Sequence, residues 1–511
     1  MMTARLSSAC FAFNVLAVQL RSVKTVGWHQ RQPVLRVEFI VRPLIALTLL
    51  LTSQSVLAAD KPNILFIFAD DQAFHTIHQL GNEEIKTPHL DQLFARGTTF
   101  THTYNQGGWN GAVCIASRTM LNTGQFLWHA HAEETSLKSE WVPQQKLWAQ
   151  QMAAAGYQTF FSGKWHIQAD ANKVFEIARH VRGGMPNQTE AGYNRPKSRD
   201  DNAWKPWDKS FDGFWKGGQH WSEVLGDDAV DYMGVAKSDD RPFFMYLAFN
   251  APHDPRQSPK EFVDMYPVDN IKVPASFLPE YTYDLGIHSL RDELLAPYPR
   301  TEYAVQVNRQ EYYAIITHMD QQIGRIMKAL KDTGEEENTW IFFTADHGLS
   351  CGHHGLLGKQ NMFDHSMRTP FVVVGPGVEQ GRKIGQRIYL QSVMPTSLEL
   401  AGIEKPEHVE FSSLLPLLKK STNKVSGEAY GAYIDSQRMM TVADEKLVMY
   451  PKIGISLLYD LKADPEELRD LSSKDGSHAK KKALFRKFLQ HQTLIGDTLD
   501  VKSAFPELAA D

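Results

Sequence analysis

Four apolar runs recur along the chain between residues 60 and 350, and each ends in polar residues. The runs are 63–69, 159–162, 243–249 and 340–345. A continuous apolar run, as opposed to an alternating one, is typical of a β-strand buried on both faces. The polar residues that follow are Asp70-Asp71, Gly163-Lys164-Trp165-His166, Asn250-Ala251-Pro252-His253 and Asp346-His347-Gly348. Because the carboxyl ends of parallel strands meet at one edge of an open sheet, these segments are predicted to share one ligand site.

Amphipathic helical segments separate the apolar runs. The clearest covers 315–330, where apolar residues recur every three or four positions over about four to five turns. The alternation of such helices with buried strands predicts an α/β fold with a large, mostly parallel central sheet flanked by helices.

Two regions depart from this alternation. Residues 181–225 are rich in Gly, Asn and Trp and are predicted to form an insertion that faces the ligand site. From about residue 403 short strands separated by turns and then a charged helix are predicted, at 429–434, 446–450, 456–459 and 480–494. The predicted organisation is a leader at 1–58, a catalytic domain at 59–402 and a smaller α+β subdomain at 403–511, built on an antiparallel sheet.

The amino terminus is predicted to carry a secretory signal. Arg42 precedes the apolar run 43–51, and small residues follow up to Ala58. This run is shorter than the ~20 residues of a membrane-spanning helix. The pattern favours a secreted or periplasmic protein that is cleaved near Ala58 and has no stable membrane insertion afterwards; an uncleaved anchor is the alternative. The long stretch before the run favours a true start downstream of Met1, because ordinary signal peptides have ~15–30 residues.

Composition narrows the function classes. The 511 residues are 42% hydrophobic and 22% charged, which is ordinary for a globular protein and argues against a disordered or polytopic membrane protein. The formal net charge of −5 provides no basic field for binding nucleic acid. The three cysteines, Cys10, Cys114 and Cys351, are too few for a secreted protein that depends on a disulfide framework.

The pairs Asp70-Asp71 and Asp346-His347 are candidate metal ligands. Adjacent side chains of a strand point to opposite faces, but beyond the strand end both can converge on one cation. Carboxylate-rich ligation favours a hard ion such as Ca²⁺ or Mg²⁺. One Asp-Asp pair after a strand is more often a helix cap or turn former. Two acidic pairs at the same sheet edge favour the metal.

Cys114 is either a buried small hydrophobe or the precursor of a nucleophile. It precedes a short helical stretch, so a group on its side chain would lie at a helix amino terminus, where backbone N–H groups and the helix dipole favour an anion. Arg118 follows one helical turn later and can hold the nucleophile or its anionic partner.

In this order the motifs resemble those of the type I, formylglycine-dependent sulfatases of the alkaline phosphatase superfamily. The family's Cys-x-Pro-x-Arg signature, or its Ala variant, followed by Thr-Gly-Arg, corresponds to Cys114-Ile115-Ala116-Ser117-Arg118 and Thr123-Gly124-Gln125. Besides the strand-end motifs, the resemblance between about residues 61 and 470 includes Pro252-His253-Asp254-Pro255, Gly358-Lys359, Leu458-Tyr459-Asp460-Leu461 and Asp464-Pro465.

The resemblance implies a sulfuric ester hydrolase with one Ca²⁺ per chain and a formylglycine that a maturation enzyme makes from Cys114. The implied metal ligands are Asp70, Asp71, Cys114, Asp346 and His347. The implied catalytic residues are Cys114, Arg118, Lys164, His166, His253 and Lys359. Arg118 and Lys164 would position the hydrated aldehyde and the sulfate, while Lys359 would contact the sulfate. One hydroxyl of the aldehyde would attack sulfur with His253 as general acid, and His166 would then take the proton of the second hydroxyl.

Three positions depart from the family pattern. Ala116 replaces the commoner Pro, Gln125 replaces an Arg, and Gln391 stands where the family often has Asp. None of them belongs to the implied metal set.

The motifs leave the substrate open. Export favours a sulfated polysaccharide or oligosaccharide, and the aromatic residues of 181–225 could stack on a sugar ring or equally pack the insertion onto the enzyme. His129, His131 and Arg256 could read hydroxyl or carboxylate groups of the substrate. The alternatives are a phosphomonoester or phosphonate hydrolase of the same superfamily, and a non-catalytic glycan-binding protein in which Cys114 is not oxidised.

Overall fold

The main sheet is built around the apolar strand β1 (Asn63–Ala69). The computed structural model describes residues 61–420 and 424–510, so the predicted leader and Cys10 lie outside the described residues. Within these residues, the sheet has eight strands in the order β11-β2-β10-β8-β1-β7-β5-β6. The other seven are β2 (Thr98–Phe100), β5 (Gln158–Lys164), β6 (Ile177–Arg182), β7 (Phe243–Ala248), β8 (Thr339–Ala345), β10 (Phe371–Val374) and β11 (Arg382–Ile384).

Strands β8, β1, β7, β5 and β6 pair in parallel, and β10 pairs in an antiparallel manner with both β8 and β2. The predicted fold, a mostly parallel central sheet with flanking helices, is confirmed. The four predicted apolar runs correspond to β1, β5, β7 and β8, with ends that differ by no more than two residues.

Both faces of the sheet are covered, which explains the continuous apolar runs. Ile64, Phe66 and Phe68 of β1 lie in one hydrophobic cluster, and the intervening Leu65 and Ile67 lie in another on the opposite face. Such two-sided burial is expected for parallel strands between helical layers. The covering helices and the other α-helices are α1 (Pro88–Arg96), α2 (Val113–Thr123), α3 (Leu127–Glu133), α4 (Trp148–Ala154), α5 (Trp221–Ala236), α6 (Lys260–Asp264), α7 (Glu302–Thr333), α8 (Asp364–Met367), α9 (Val393–Leu400), α10 (Leu415–Lys420), α11 (Ser477–Leu494) and α12 (Pro506–Ala509).

Helix α7 begins 13 residues before the predicted start at 315. Its first half buries Asn308, Glu311 and Tyr312 against neighbouring loops, so polar residues interrupt the apolar periodicity there. Thr301 marks the start, because its side chain accepts a hydrogen bond from the backbone N–H of Ala304 at 3.1 Å.

A second, five-stranded sheet occupies the carboxy-terminal part of the described residues, in the order β16-β15-β14-β13-β4. Its strands are β4 (Gly107–Gly108), β13 (Glu428–Tyr433), β14 (Gln437–Val442), β15 (Glu445–Tyr450) and β16 (Ile455–Asp460). Strands β13 to β16 are antiparallel, as predicted, whereas β4 comes from the catalytic region and pairs in parallel with β13. A small third sheet joins β3 (Thr103–Tyr104), β9 (Arg368–Thr369) and β12 (Ile388–Tyr389).

The described residues all belong to one compact unit. The domain boundary near residue 402 therefore stays a prediction. Among the described residues, no helix combines the length and the apolar character that a membrane crossing requires.

Candidate active site

The carboxyl ends of the central strands place the predicted polar residues around Cys114. Asp70 and Asp71 follow β1, Lys164 is the last residue of β5, and Asp346 follows β8. Cys114 is the second residue of α2, and all five side chains are buried. The parallel sheet thus brings together side chains that are up to 276 positions apart in the sequence.

Asp71 has a left-handed backbone conformation, with φ of 66°, that residues other than glycine seldom adopt. In a regular strand the side chains of Asp70 and Asp71 would point to opposite faces. Instead, both carboxylates lie in a cluster with Cys114 and His253, whose potential ligand atoms are all within 4.8 Å of one another. The turn at Asp71 therefore accounts for the convergence of two adjacent carboxylates.

Cys114 lies at the centre of this cluster. Its Sγ is 3.3 Å from Asp70 Oδ1 and 3.5 Å from Asp71 Oδ1, and Lys359 Nζ lies 3.0 Å from it. Burial, together with the charges of Asp346, Asp70 and Asp71, raises the pKa of the Cys114 thiol well above its usual value. The thiol consequently keeps its proton at neutral pH.

Three buried cations match three buried carboxylates. Lys164 Nζ donates to Asp70 Oδ2 at 2.5 Å, and Lys359 Nζ lies 2.6 Å from both carboxylate oxygens of Asp71. Arg118 Nε donates to Asp346 Oδ2 at 2.9 Å, and its Nη1 donates to the carbonyl oxygen of Lys164 at 2.7 Å. Each buried charge therefore has a partner, as buried charges require.

The protonation of the carboxylates follows from these partners. Burial raises the pKa of Asp71 to about 6, against the opposing effect of Lys359. Burial also disfavours the ionised form of Asp346, but Arg118, Lys164 and Lys359 outweigh it and hold the pKa of Asp346 below its usual value. The cluster is a dense set of oxygen ligands, a composition that suits a hard divalent cation.

The predicted metal residues do not all lie equally close together. Among the described residues, the set with all ligand atoms within 4.8 Å contains His253 with Asp70, Asp71 and Cys114. Asp346 lies next to this set, because its Oδ1 accepts the backbone N–H of Asp71 at 3.0 Å. His347 is buried, and its Nδ1 lies 3.2 Å from the carbonyl oxygen of Gly348.

His253 has neighbours on both sides of its ring. Nε2 lies 3.4 Å from Asp71 Oδ2, and Nδ1 lies 3.0 Å from Oδ1 of Asp254. Arg291 binds the carboxylate of Asp254 through Nη1 and Nη2, and it also binds Asp292. Sequence reasoning missed Asp254, Arg291 and Asp292 as parts of the site. The only signal was the position of Asp254 directly after His253.

His166 lies beside the cluster and also has a positive φ, of 56°. Its ring packs against Gly184, where an added Cβ would lie 3.4 Å from His166 Nε2. Its Nδ1 is buried without a hydrogen-bond partner among the described residues. Burial, followed by the charge of Lys164, lowers the pKa of His166 to about 2, so the ring is neutral at ordinary pH.

An open cavity of about 550 Å³ gives access to the cluster. Cys114, His166, His253 and Lys359 line its inner part, and Arg291 and Met185 also line it. The cavity therefore joins the predicted nucleophile Cys114 to three of the predicted polar side chains and to one arginine that was not predicted.

Several residues proposed as substrate contacts have other roles. His129 pairs with Glu410 at 2.7 Å, and His131 stacks on Trp109. Arg256 is buried and donates to Asn308 Oδ1 at 3.0 Å.

The tryptophans of 181–225 mostly pack within the protein. Trp204 stacks on Phe211, and Trp215 is buried against His220. Within this insertion, it is Gly183, Gly184 and Met185 that line the cavity. The described structure thus favours the packing role for these aromatic rings.

The positions that depart from the family signature lie behind the nucleophile. Ala116 is buried, and Gln391 is buried with its Nε2 donating to Asn105 Oδ1 at 3.1 Å. Gln125 follows Gly124, which ends α2 in a left-handed conformation with φ of 74°.

Comparisons with known proteins agree with this geometry. Residues 62–403 match the family model "Sulfatase", and residues 352–493 match the model "N-sulphoglucosamine sulphohydrolase, C-terminal". The chain is 27% identical over 453 residues to an arylsulfatase of Clostridium perfringens, which covers 80% of this chain and 90% of the relative.

Two solved structures show the same fold. BT4656, in complex with its substrate D-glucosamine-2-N,6-O-disulfate, has a TM-score of 0.65 and 21% identity, and the match covers 86% of this chain and 99% of BT4656. A phosphonate monoester hydrolase of Agrobacterium radiobacter has a TM-score of 0.64 and 20% identity, over 85% of this chain and 96% of the hydrolase.

Proposed function

The chain belongs to the sulfatase family and is a sulfuric ester hydrolase, and we propose that it releases sulfate from a sulfated carbohydrate by means of a formylglycine at position 114. The observation that carries this proposal is the position of Cys114 at the amino terminus of α2, in contact with Asp70, Asp71 and Lys359 and open to the cavity. The carbohydrate part of the proposal is supported by the sulfated glucosamine in the BT4656 structure.

Once oxidised, residue 114 would supply a hydrated aldehyde as nucleophile toward sulfur, and the S–O bond to the alcohol would break as the alcohol leaves. The protein must hold this group at a fixed angle, and the first turn of α2 together with Lys359 provides that orientation. His166, with its open Nδ1, is positioned to take a proton when the aldehyde re-forms.

The carboxylates fit a Ca²⁺, and we assign Asp70, Asp71, Asp346 and His347 together with residue 114 as its ligands. A bound ion would supply positive charge that stabilises the negative charge of the sulfate group. Arg118 holds Asp346, and Lys164 holds Asp70, so both carboxylates are kept in place by side chains that themselves carry positive charge. A sulfate ester gains negative charge on its oxygens in the transition state, and fixed cations stabilise that charge.

His253 is the general acid in this proposal. Its Nδ1 is engaged by Asp254, which leaves Nε2 directed toward the cluster for the oxygen of the departing alcohol. Protonation of the departing oxygen by His253 accelerates the reaction most when the alcohol is a poor leaving group. The variant His253→Ala is therefore expected to lose more activity on an alkyl sulfate than on a nitrophenyl sulfate.

The matched control is His129→Gln, because His129 lies outside the cavity and pairs with Glu410. It is expected to leave both rates near the wild-type values. Equal losses on the two substrates in His253→Ala would contradict the role of His253 as an acid.

The test of the whole proposal has two parts. Peptide mass analysis of protein from the native host is expected to show an aldehyde at position 114, and an unmodified thiol there would contradict the mechanism. Incubation with a panel of sulfated glycans is expected to release free sulfate. We also propose that the protein is exported after cleavage near Ala58, which amino-terminal sequencing of the exported protein would verify.

A second candidate is hydrolysis of phosphate or phosphonate esters, which the similarity to the Agrobacterium radiobacter hydrolase favours. Both activities would use the same nucleophile and cation cluster. Comparing kcat/KM for matched sulfate and phosphate esters separates them. Faster turnover of the phosphate ester would overturn the sulfatase proposal.

A further inference from the structure

Arg291 is a cavity-lining arginine for which the mechanism above has no use. Its side chain is 35% exposed, whereas the carboxylates it binds, Asp254 and Asp292, are buried. It is the first residue of a short 3-10 helix (Arg291–Leu295), and no sequence motif singled it out.

The hydrogen bonds of Arg291 use only part of its donor set. Nη1 donates to Asp254 Oδ2, and Nη2 donates to Asp254 Oδ1 and to Asp292 Oδ1. A guanidinium group has five N–H donors in a planar fork. The Nε–H and one N–H of Nη1 therefore have no hydrogen-bond partner among the described residues.

Both carboxylates have partners inside the protein, although Asp292 also lines the cavity. Asp254 is shared between Arg291 and Nδ1 of His253, and Asp292 Oδ2 accepts a hydrogen bond from Gln360 Nε2 at 2.9 Å. Burial disfavours ionisation of Asp254, but His253 and Arg291 outweigh it and hold its pKa well below the usual range. The most exposed group of this ion cluster is the guanidinium, at 35%, against 6% for Asp254 and 4% for Asp292.

A buried glutamate fixes the segment that carries Arg291. Glu293 Oε1 accepts the backbone N–H of Gly358 at 2.7 Å, and Glu293 Oε2 accepts that of Leu357 at 2.9 Å. The same Oε2 lies 2.7 Å from Arg300 Nη2. Because Lys359 follows Gly358 directly, the positions of Arg291 and of the sulfate-binding lysine are tied to one carboxylate.

We propose that Arg291 binds a second anionic group of the substrate, close to the sulfate that is released. The group is a carboxylate or another sulfate on the same sugar residue or on its neighbour. Arginine suits this role because it is always charged and its Nε–H and remaining Nη1 N–H can each donate to an anionic oxygen. The inference rests on the proposed sulfatase function and makes the preferred substrate a dianionic, sulfated sugar.

The experiment compares matched sugars. One arm uses hexuronates that carry one sulfate at each possible hydroxyl and the corresponding hexoses, in which CH₂OH replaces the carboxylate. A second arm compares disulfated with monosulfated hexoses. Steady-state sulfate release gives kcat/KM for each sugar with formylglycine-containing wild type, Arg291→Met and Arg291→Lys.

Wild type is expected to prefer the dianionic sugar of at least one arm, and Arg291→Met is expected to reduce that preference about ten- to hundredfold, the range for a charge-assisted hydrogen bond. The arm in which Arg291→Met lowers the preference shows whether the second anionic group is a carboxylate or a sulfate. Arg291→Lys is expected to keep part of the preference, because it retains the charge but offers fewer N–H donors. The control Arg179→Met removes a surface charge that pairs with Asp231 outside the cavity, and it is expected to leave the preference unchanged.

Equal losses on dianionic and monoanionic sugars in Arg291→Met would overturn the proposal, because they would show that Arg291 acts only as a clamp for Asp254. A wild-type enzyme without any preference would overturn it as well. If wild type released no sulfate from any sugar, the proposed function would fail. Calorimetric binding of the same sugars to wild type and Arg291→Met would then decide the role of Arg291 separately.

Discussion

Lys446 of β15 binds helix α8 and the loop after β16 in a buried ion cluster, and its replacement by methionine should make the protein unfold more readily. The Lys446 side chain has no exposed surface. Its Nζ lies 2.9 Å from Asp364 Oδ1 and 2.7 Å from Glu467 Oε1. Asp364 keeps a second cation in the variant, since Arg368 Nη1 donates to its Oδ2 at 3.0 Å. Glu467 keeps only the hydrogen bond from the backbone N–H of Asp364, at 2.7 Å.

The magnitude follows from the burial of Glu467. Burial raises its pKa from 4.5 to about 7 even with Lys446 present, so ionising this side chain inside the protein costs about 3 kcal/mol. Removing one partner of a buried ion pair typically costs about 3–5 kcal/mol. We therefore expect Lys446→Met to lower the free energy of unfolding by about 3–5 kcal/mol at pH 8.

The loss of unfolding free energy in Lys446→Met should be larger at high pH than at low pH. Because the pKa of Glu467 is higher in the folded than in the unfolded state, stability falls as the pH rises from the unfolded toward the folded pKa. Without Lys446 the pKa of Glu467 in the folded protein rises further, so the free energy of unfolding continues to fall above pH 7. The deficit of the variant relative to wild type should thus be smaller at pH 6, where Glu467 is protonated, than at pH 8.

Urea unfolding followed by tryptophan fluorescence at both pH values measures these differences. The double variant Lys446→Met with Glu467→Gln should recover part of the loss at pH 8, because no unpaired charge remains. Lys452→Met is the control, since Lys452 forms an exposed pair with Asp435 in the same sheet and should contribute less than about 1 kcal/mol. An equal deficit at pH 6 and pH 8, or no recovery in the double variant, would refute the reasoning.

Further predictions concern the site and its helix. Cys114→Ala should lower sulfate release by about a thousandfold or more while the circular dichroism spectrum stays that of the wild type; substantial residual turnover would argue against residue 114 as nucleophile. Chelation with EDTA should reduce turnover and added Ca²⁺ should restore it, and activity that survives exhaustive chelation would count against the metal. Gly124→Ala should destabilise the protein by about 1–2 kcal/mol or more in urea unfolding, because φ is 74° and the new Cβ would lie 2.9 Å from Val409 Cγ2. Gly156→Ala, with φ of 92° and no atom within 4 Å of the new Cβ, isolates the backbone contribution, so equal losses in both variants would show that the contact with Val409 has no effect.

The sequence predicted the central strands well because their burial is uniform. Strands β1, β7 and β8 have helices on both sides, so nearly every position is apolar and the run is easily seen. The hairpin strand β14 was missed, although its neighbours β13 and β15 were predicted. Arg438 interrupts the apolar pattern of β14, because it is buried in an ion pair with Asp497, with Nε 2.8 Å from Asp497 Oδ2. Such a long-range pair cannot be read from the local pattern.

The active site also contains residues that the local sequence pattern predicts and residues that it does not predict. Asp70, Lys164 and Asp346 were predictable because each lies at the end of a buried strand, and parallel strands bring their ends to one edge. Cys114 was found through its motif and through its place at the start of a helix. Asp254 lies in a loop, and Arg291 and Asp292 begin a 3-10 helix of five residues (Arg291–Leu295), which is too short to give a recognisable spacing in the sequence.

Their position depends instead on single buried side chains. Glu293 joins the Arg291 segment to the turn before Lys359 through two backbone N–H groups, and it does so across 64 and 65 positions of sequence. A loop fixed in this way can differ between sulfatases without any change in the strands that hold the nucleophile and the cation ligands. The sequence therefore predicted the residues that carry out the sulfate chemistry. It missed the loop residues around Arg291, where we expect the substrate preference to be determined.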